Sequence, residues 1–227
     1  MVKRILRAFN GEIKGVHEAA YLLGFFALLA QILAMLRDRM LAHYFGAGAT
    51  LDIYYASFRI PDFIFTTIAS LVAGSVLIPF FQKAFEEGEA SSKKVIDEVW
   101  SSFFALVVFT CIIAFLLMPV LIRLLYPSMP VESQALAISL SRIFLLSPIF
   151  LGFSNFLSSI IQAHRRFALY ALSPVLYNVG IIFGIILLSP IFGITGVAIG
   201  VVLGSVFHAA VQIPFARSIK SLPSFIF

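Results

Sequence analysis

Charge is what this sequence lacks most: Asp, Glu, Lys and Arg make up 12% of its 227 residues, where a soluble domain carries about 25%. With 61% of the residues hydrophobic, a soluble fold has too little polar surface to cover the apolar side chains, so the class is an integral membrane protein. The single cysteine, Cys111, lies in an apolar run and excludes a disulfide framework or redox pair within one chain. One Trp against 25 Phe suits long lipid-facing helices better than a nucleic-acid stacking platform. The formal net charge of +5 comes from short basic groups between apolar runs, which form no continuous stripe, so nucleic acid is not an expected partner. His17, His43, His164 and His208 show no pair at metal-ligand spacing, and GxSxG, HExxH, Walker A and paired-carboxylate motifs are missing. Catalysis, a bound metal and a cofactor are therefore not expected.

What the sequence does have is long uncharged runs. A membrane helix needs about 20 mostly apolar residues, and six segments qualify: about 19–44, 53–81, 99–122, 135–163, 167–188 and 193–216. Phe167 to Ala216 has no charge over fifty residues, about 75 Å as one helix, so it must turn back, and Ser189-Pro190 and Gly193 supply the break. The first run lies behind Lys3, Arg4, Arg7 and Lys14 but is too long for a signal peptide and is read as an uncleaved span. Basic residues concentrate in alternate connections: the amino-terminal segment, Lys83 with Lys93 and Lys94, Arg165 with Arg166, and Arg217 with Lys220. The positive-inside rule then puts both ends in the cytoplasm. The mixed charge between Gln82 and Glu98 is expected to form a surface helix.

Some charges fall inside the spans. Arg37, Asp38, Arg59, Asp62 and Arg142 all lie in the outward half on this topology, and Asp52 stands at the head of the second span. Intramembrane charge is costly and pairs, snorkels or faces a wet cavity. Asp52, Tyr55, Arg59, Asp62, Thr66, Ser70 and Gly74 recur at spacings of three and four and share a sector of roughly 120°. Such a stripe suits the wall of an aqueous cavity. Arg59 and Asp62, at i and i+3, also suit a pair that only neutralises itself. Arg39 and Arg123 are read as interfacial snorkels.

The stretch Leu36-Arg37-Asp38-Arg39-Met40-Leu41-Ala42-His43-Tyr44-Phe45-Gly46-Ala47-Gly48, followed by Asp52 to Asp62 with Tyr55, Arg59 and Pro61, resembles the start of the MviN/MurJ lipid II flippases. Gln162, Arg166-Phe167, Ala171, Pro174 and Asn178 resemble that family's segment between the fourth and fifth spans. The resemblance implies an all-α exporter that moves a lipid-linked anionic precursor, undecaprenyl-pyrophosphate-linked, to the outer leaflet by alternating access. It implies a bacterial cytoplasmic-membrane location, with Arg37, Asp38 and Asp52 at the family's functional positions and Arg59 at a basic one; the charge map adds Asp62 and Arg142 to the expected substrate-binding set, in a cavity also lined by Gln31, Tyr55, Thr66 and Ser70. The chain departs from the family where Gln31 stands for an arginine and where Phe65 and Thr66 stand for basic residues, so another lipid-linked saccharide is an alternative cargo. Members have two six-helix lobes. The resemblance therefore makes residues 19–216 the first lobe, 1–18 a cytoplasmic segment and 217–227 the start of an interlobe connection, and the partner is a missing second lobe or a second chain. A drug exporter of the same superfamily and a non-transporting scaffold are the competing readings.

Overall fold

The computed structural model describes residues 16–71, 74–164 and 166–226, with side chains for all of these except 16, 68–71, 74–76 and 89. Lys3, Arg4, Arg7, Lys14, Arg165 and the side chain of Ser70 lie outside the described residues. Every described element is helical, as hydrocarbon solvent demands of a backbone that must satisfy its own polar groups. The helices are α1 (Val16–Phe45), α2 (Ala49–Leu71), α3 (Gly74–Glu86), α4 (Glu89–Leu125), α5 (Val131–Phe144), α6 (Leu146–Ala163), α7 (Phe167–Phe183), α8 (Ile194–Ala210) and α9 (Ile213–Ser218). Among the described residues, five stretches are long and apolar enough to cross a membrane: His17–Phe45, Ala90–Leu125, Val131–Ala163, Phe167–Phe192 and Ile194–Ser218. The chain is a multi-pass membrane protein.

The mixed-charge segment is the end of α3, the turn at Glu87-Gly88 and the first turns of α4 rather than a separate surface helix. Lys93 pairs with Asp97 and Lys94 with Glu98 at i,i+4. At 37 residues α4 is roughly 55 Å long, so its charged head stands clear of a hydrocarbon core of about 30 Å. The segment after α9 folds back on this head: Ser224 N donates to Asp97 Oδ1 at 2.7 Å, and the Phe225 ring lies 5.0 Å from that of Phe104.

Prolines set the bends. A proline has no N–H and leaves the carbonyl four residues earlier without its helical partner. In α2 Pro61 frees the Ser57 carbonyl, which accepts from Ser141 Oγ at 2.9 Å on α5. In α4 Pro119 frees the Phe115 carbonyl, which accepts from Arg142 Nε at 3.3 Å. The α5–α6 stretch breaks at Leu145, three residues before Pro148. After α7 the chain passes through a π-helical stretch, Gly184–Leu188, and one more turn, Ser189–Phe192, then reverses at Gly193, whose φ of +58° favours glycine.

The core is apolar and continuous from α1 to α9, and its most deeply buried side chains include Phe81, Met118, Phe144, Phe156 and Ile160. Its tightest seam joins α7 to α8. A Cβ on Gly180 would collide with Gly204 Cα, and one on Gly184, where the π-helical stretch takes over from α7, would stand 2.5 Å from Gly200 Cα, so the backbones touch where no side chain fits. Helix α1 lies against α7 and leaves most of its surface, including Tyr21, Phe25 and Leu28, exposed.

Candidate functional site

A cavity of about 630 Å³ opens between α1, α2, the α5–α6 bend, α7 and α8. Its charged wall is Arg37 and Asp38 from α1 with Arg59 and Asp62 from α2. Tyr54, Tyr55 and Phe58 extend the α2 wall, Phe144, Ser147 and Pro148 come from the bend, and Pro174, Tyr177 and His208 close the inner side. Two arginines and two aspartates balance, so the cavity presents guanidinium groups without a large net field.

Arg37 is the best-held of these groups. Its Nε and Nη2 both stand 2.8 Å from Asp38 Oδ1, while Nη1 donates to Asn178 Oδ1 at 3.0 Å across the α1–α7 seam. Asn178 is fixed in turn: its Nδ2 donates to Pro174 O at 3.0 Å and to Ala30 O at 3.3 Å. A guanidinium has five N–H donors, so these contacts fix its plane and leave about two donors for an anion. Asp38 is half-exposed and competes with any such anion for the same group.

Arg59 and Asp62 make no ion pair with each other, so among the described residues the self-neutralising reading of that pair has no contact to rest on. Ser147 is buried, and its hydroxyl has no hydrogen-bond partner among the described residues. Behind His208 a buried polar string ties three helices together. Ser154 Oγ lies 2.6 Å from His208 Nδ1, Gln212 Nε2 donates to Ser154 Oγ at 2.6 Å and to Ser173 Oγ at 3.0 Å, and Ser158 donates to Gln212 Oε1 at 3.0 Å.

Of the residues expected from sequence, Arg37, Asp38, Tyr55, Arg59 and Asp62 meet in this cavity, and the others whose side chains are described do not. Asp52 is exposed one turn beyond Tyr55, outside the lining. Gln31 is exposed two turns from Asp38 on the same face. Thr66 turns its hydroxyl back to the Asp62 carbonyl at 2.9 Å, the usual resort of a helical threonine without another partner. Arg142 lines a different groove, against the ring of Phe115 at 4.6 Å. Its neighbour Ser141 faces α2, and one residue further, about 100° round the helix, turns the guanidinium away from the cavity. The sequence reading left out Tyr54, Ser147, Tyr177 and His208. It had Asn178 only as part of a resemblance, and the signal that could have raised it is its place one turn after Pro174.

A family model described as lipid II flippase MurJ matches residues 41–227. The probable lipid II flippase MurJ of Aquifex aeolicus (strain VF5) is 26% identical over 220 residues, which cover 92% of this chain and 42% of that protein. The probable lipid II flippase MurJ of Rickettsia prowazekii (strain Madrid E) is 26% identical over 171 residues, 73% of this chain and 33% of that protein. A solved structure of lipid II flippase MurJ in an inward closed conformation superposes with a TM-score of 0.74 at 25% identity, over 91% of this chain and 43% of that one. The chain thus spans less than half the length of each of these relatives.

Proposed function

From the premise that this chain belongs to the lipid II flippase MurJ family, we propose that it is the first lobe of a transporter carrying an undecaprenyl-pyrophosphate-linked peptidoglycan precursor across the bacterial cytoplasmic membrane. Transport is by alternating access and needs no enzymatic step of the protein's own. The lobe crosses the membrane six times with both ends cytoplasmic, and a second lobe supplies the facing wall of the cavity. Residues 217–227 lead towards it.

The observation that carries this reading is the Arg37 guanidinium, oriented by Asn178 and still holding free donors beside a cavity of about 630 Å³. Charge-assisted hydrogen bonds from a planar guanidinium match phosphate oxygens. Asp38 keeps the group poised and weakens its hold on the anion, which a carrier requires because a cargo bound too tightly is never released. Arg59 offers a second cation in the cavity wall, and Asp62 adds a second acidic group there without pairing with it. Asp52 at the head of α2 meets the cargo at the rim.

The test is flipping of the lipid-linked precursor in cells depleted of the native transporter. Arg37→Lys keeps the charge but loses the fork that reaches Asp38 and Asn178 together, and we expect it to fail nearly as fully as Arg37→Ala. The intermediate that accumulates identifies the cargo. Wild-type flipping by Arg37→Ala would overturn the reading. Lost drug resistance with intact flipping would favour a drug exporter instead.

A further inference from the structure

The lobe has a second groove, away from the transport cavity. It lies between α4 and the α5–α6 bend, encloses about 620 Å³, and is walled by Val108, Ile112, Leu116, Ile138 and Ile149. Arg142 is the one charged residue in its lining, and among the described residues it forms no ion pair. On the α4 side Phe109, Ile112 and Leu116 are exposed, so the groove opens towards lipid hydrocarbon. Phe115 and Arg142 both lie about 15 Å along their helices from the connection between α4 and α5.

The contacts Arg142 does make explain a donor but not a charge. Its Nε serves the Phe115 carbonyl that Pro119 leaves free, yet the adjacent Ser141 serves the carbonyl freed by Pro61 with a neutral hydroxyl. The Phe115 ring adds a cation–π contact, which leaves the positive charge in place. An arginine at this depth pairs with another charge or a backbone carbonyl, faces water or draws the interface inwards, and of these the carbonyl contact leaves its charge unneutralised.

We propose that this groove binds an anionic phospholipid of the surrounding bilayer, with its phosphate on the Arg142 guanidinium and an acyl chain along Ile112, Val108 and Ile149. The occupant needs both parts. The wall is hydrocarbon, the one charge is positive, and the open side faces lipid, so a soluble anion would have to cross hydrocarbon to arrive. This inference is independent of the transport reading.

The full-length protein, purified in mild detergent, is assayed for retained phosphatidylglycerol by native mass spectrometry. Arg142→Gln keeps a donor for the Phe115 carbonyl and removes the charge, so retention should fall roughly tenfold, the loss of one charge-assisted contact. Arg142→Lys should retain the lipid. In nanodiscs, phosphatidylglycerol should protect the wild type against heat more than phosphatidylcholine does, and Arg142→Gln should lose that difference. If Arg142→Gln is not monodisperse, Ile138→Trp, which fills the groove and keeps the guanidinium, replaces it and should also lose the lipid. Unchanged retention in whichever variant folds, or retention indifferent to headgroup charge, overturns the proposal. So does lipid lost from Arg37→Ala, since that molecule would then be cargo in the transport cavity.

Discussion

Arg37 gains its direction from a residue 141 positions away in sequence, Asn178, and that dependence is testable on its own. Asn178→Ala removes one hydrogen bond to a charged group and leaves Arg37 tethered only to the adjacent Asp38. Such bonds contribute about 1.5–3 kcal/mol, so flipping should drop roughly tenfold or more while the yield of folded protein changes little, read as initial flipping rate against protein recovered from the membrane. Unchanged flipping would reduce Asn178 to a packing role. Asn178, Tyr177 and His208 were hard to read because each stands among apolar residues on a helix that is apolar all round. A lone polar residue there defines no sector, whereas on α2 the recurrence of charge and hydroxyl did.

The helices themselves were legible as charge-free runs, but their bends depend on pairings that span elements. Pro61 in α2 is tolerated because Ser141 of α5 supplies a donor for the Ser57 carbonyl. Ser141→Ala should therefore destabilise the lobe by about 1–2 kcal/mol, the cost of an unmet buried acceptor. Pro61→Ala restores the helical N–H, so in that background the loss of the Ser141 hydroxyl should cost little. Thermal unfolding of the four proteins of this cycle checks the coupling, and additive losses would sink it. The same logic explains why the orientation of Arg142 could not be read from spacing. Its depth follows from counting residues along α5, but which way it points depends on Ser141 docking on α2 and on the helix break at Leu145, both tertiary facts.

On the scale of the whole molecule, the proposed alternating access needs a second body that covers the cavity and parts from it in turn. A cysteine at Tyr55 should react with a membrane-impermeant thiol reagent when the cavity faces the reagent's side and be protected when it does not. The native Cys111 is buried and does not compete. Reactivity that never changes with cargo or conformation would argue for a fixed scaffold. Such alternation asks which parts of the lobe move, and the backbone contact of Gly180 with Gly204 answers for one pair of helices. Neither α7 nor α8 can turn or slide by a residue without driving a side chain into its neighbour's main chain. On the proposed transport reading the pair is therefore the stator, with Asn178 as a fixed peg on it, and the strokes fall to the elements around it.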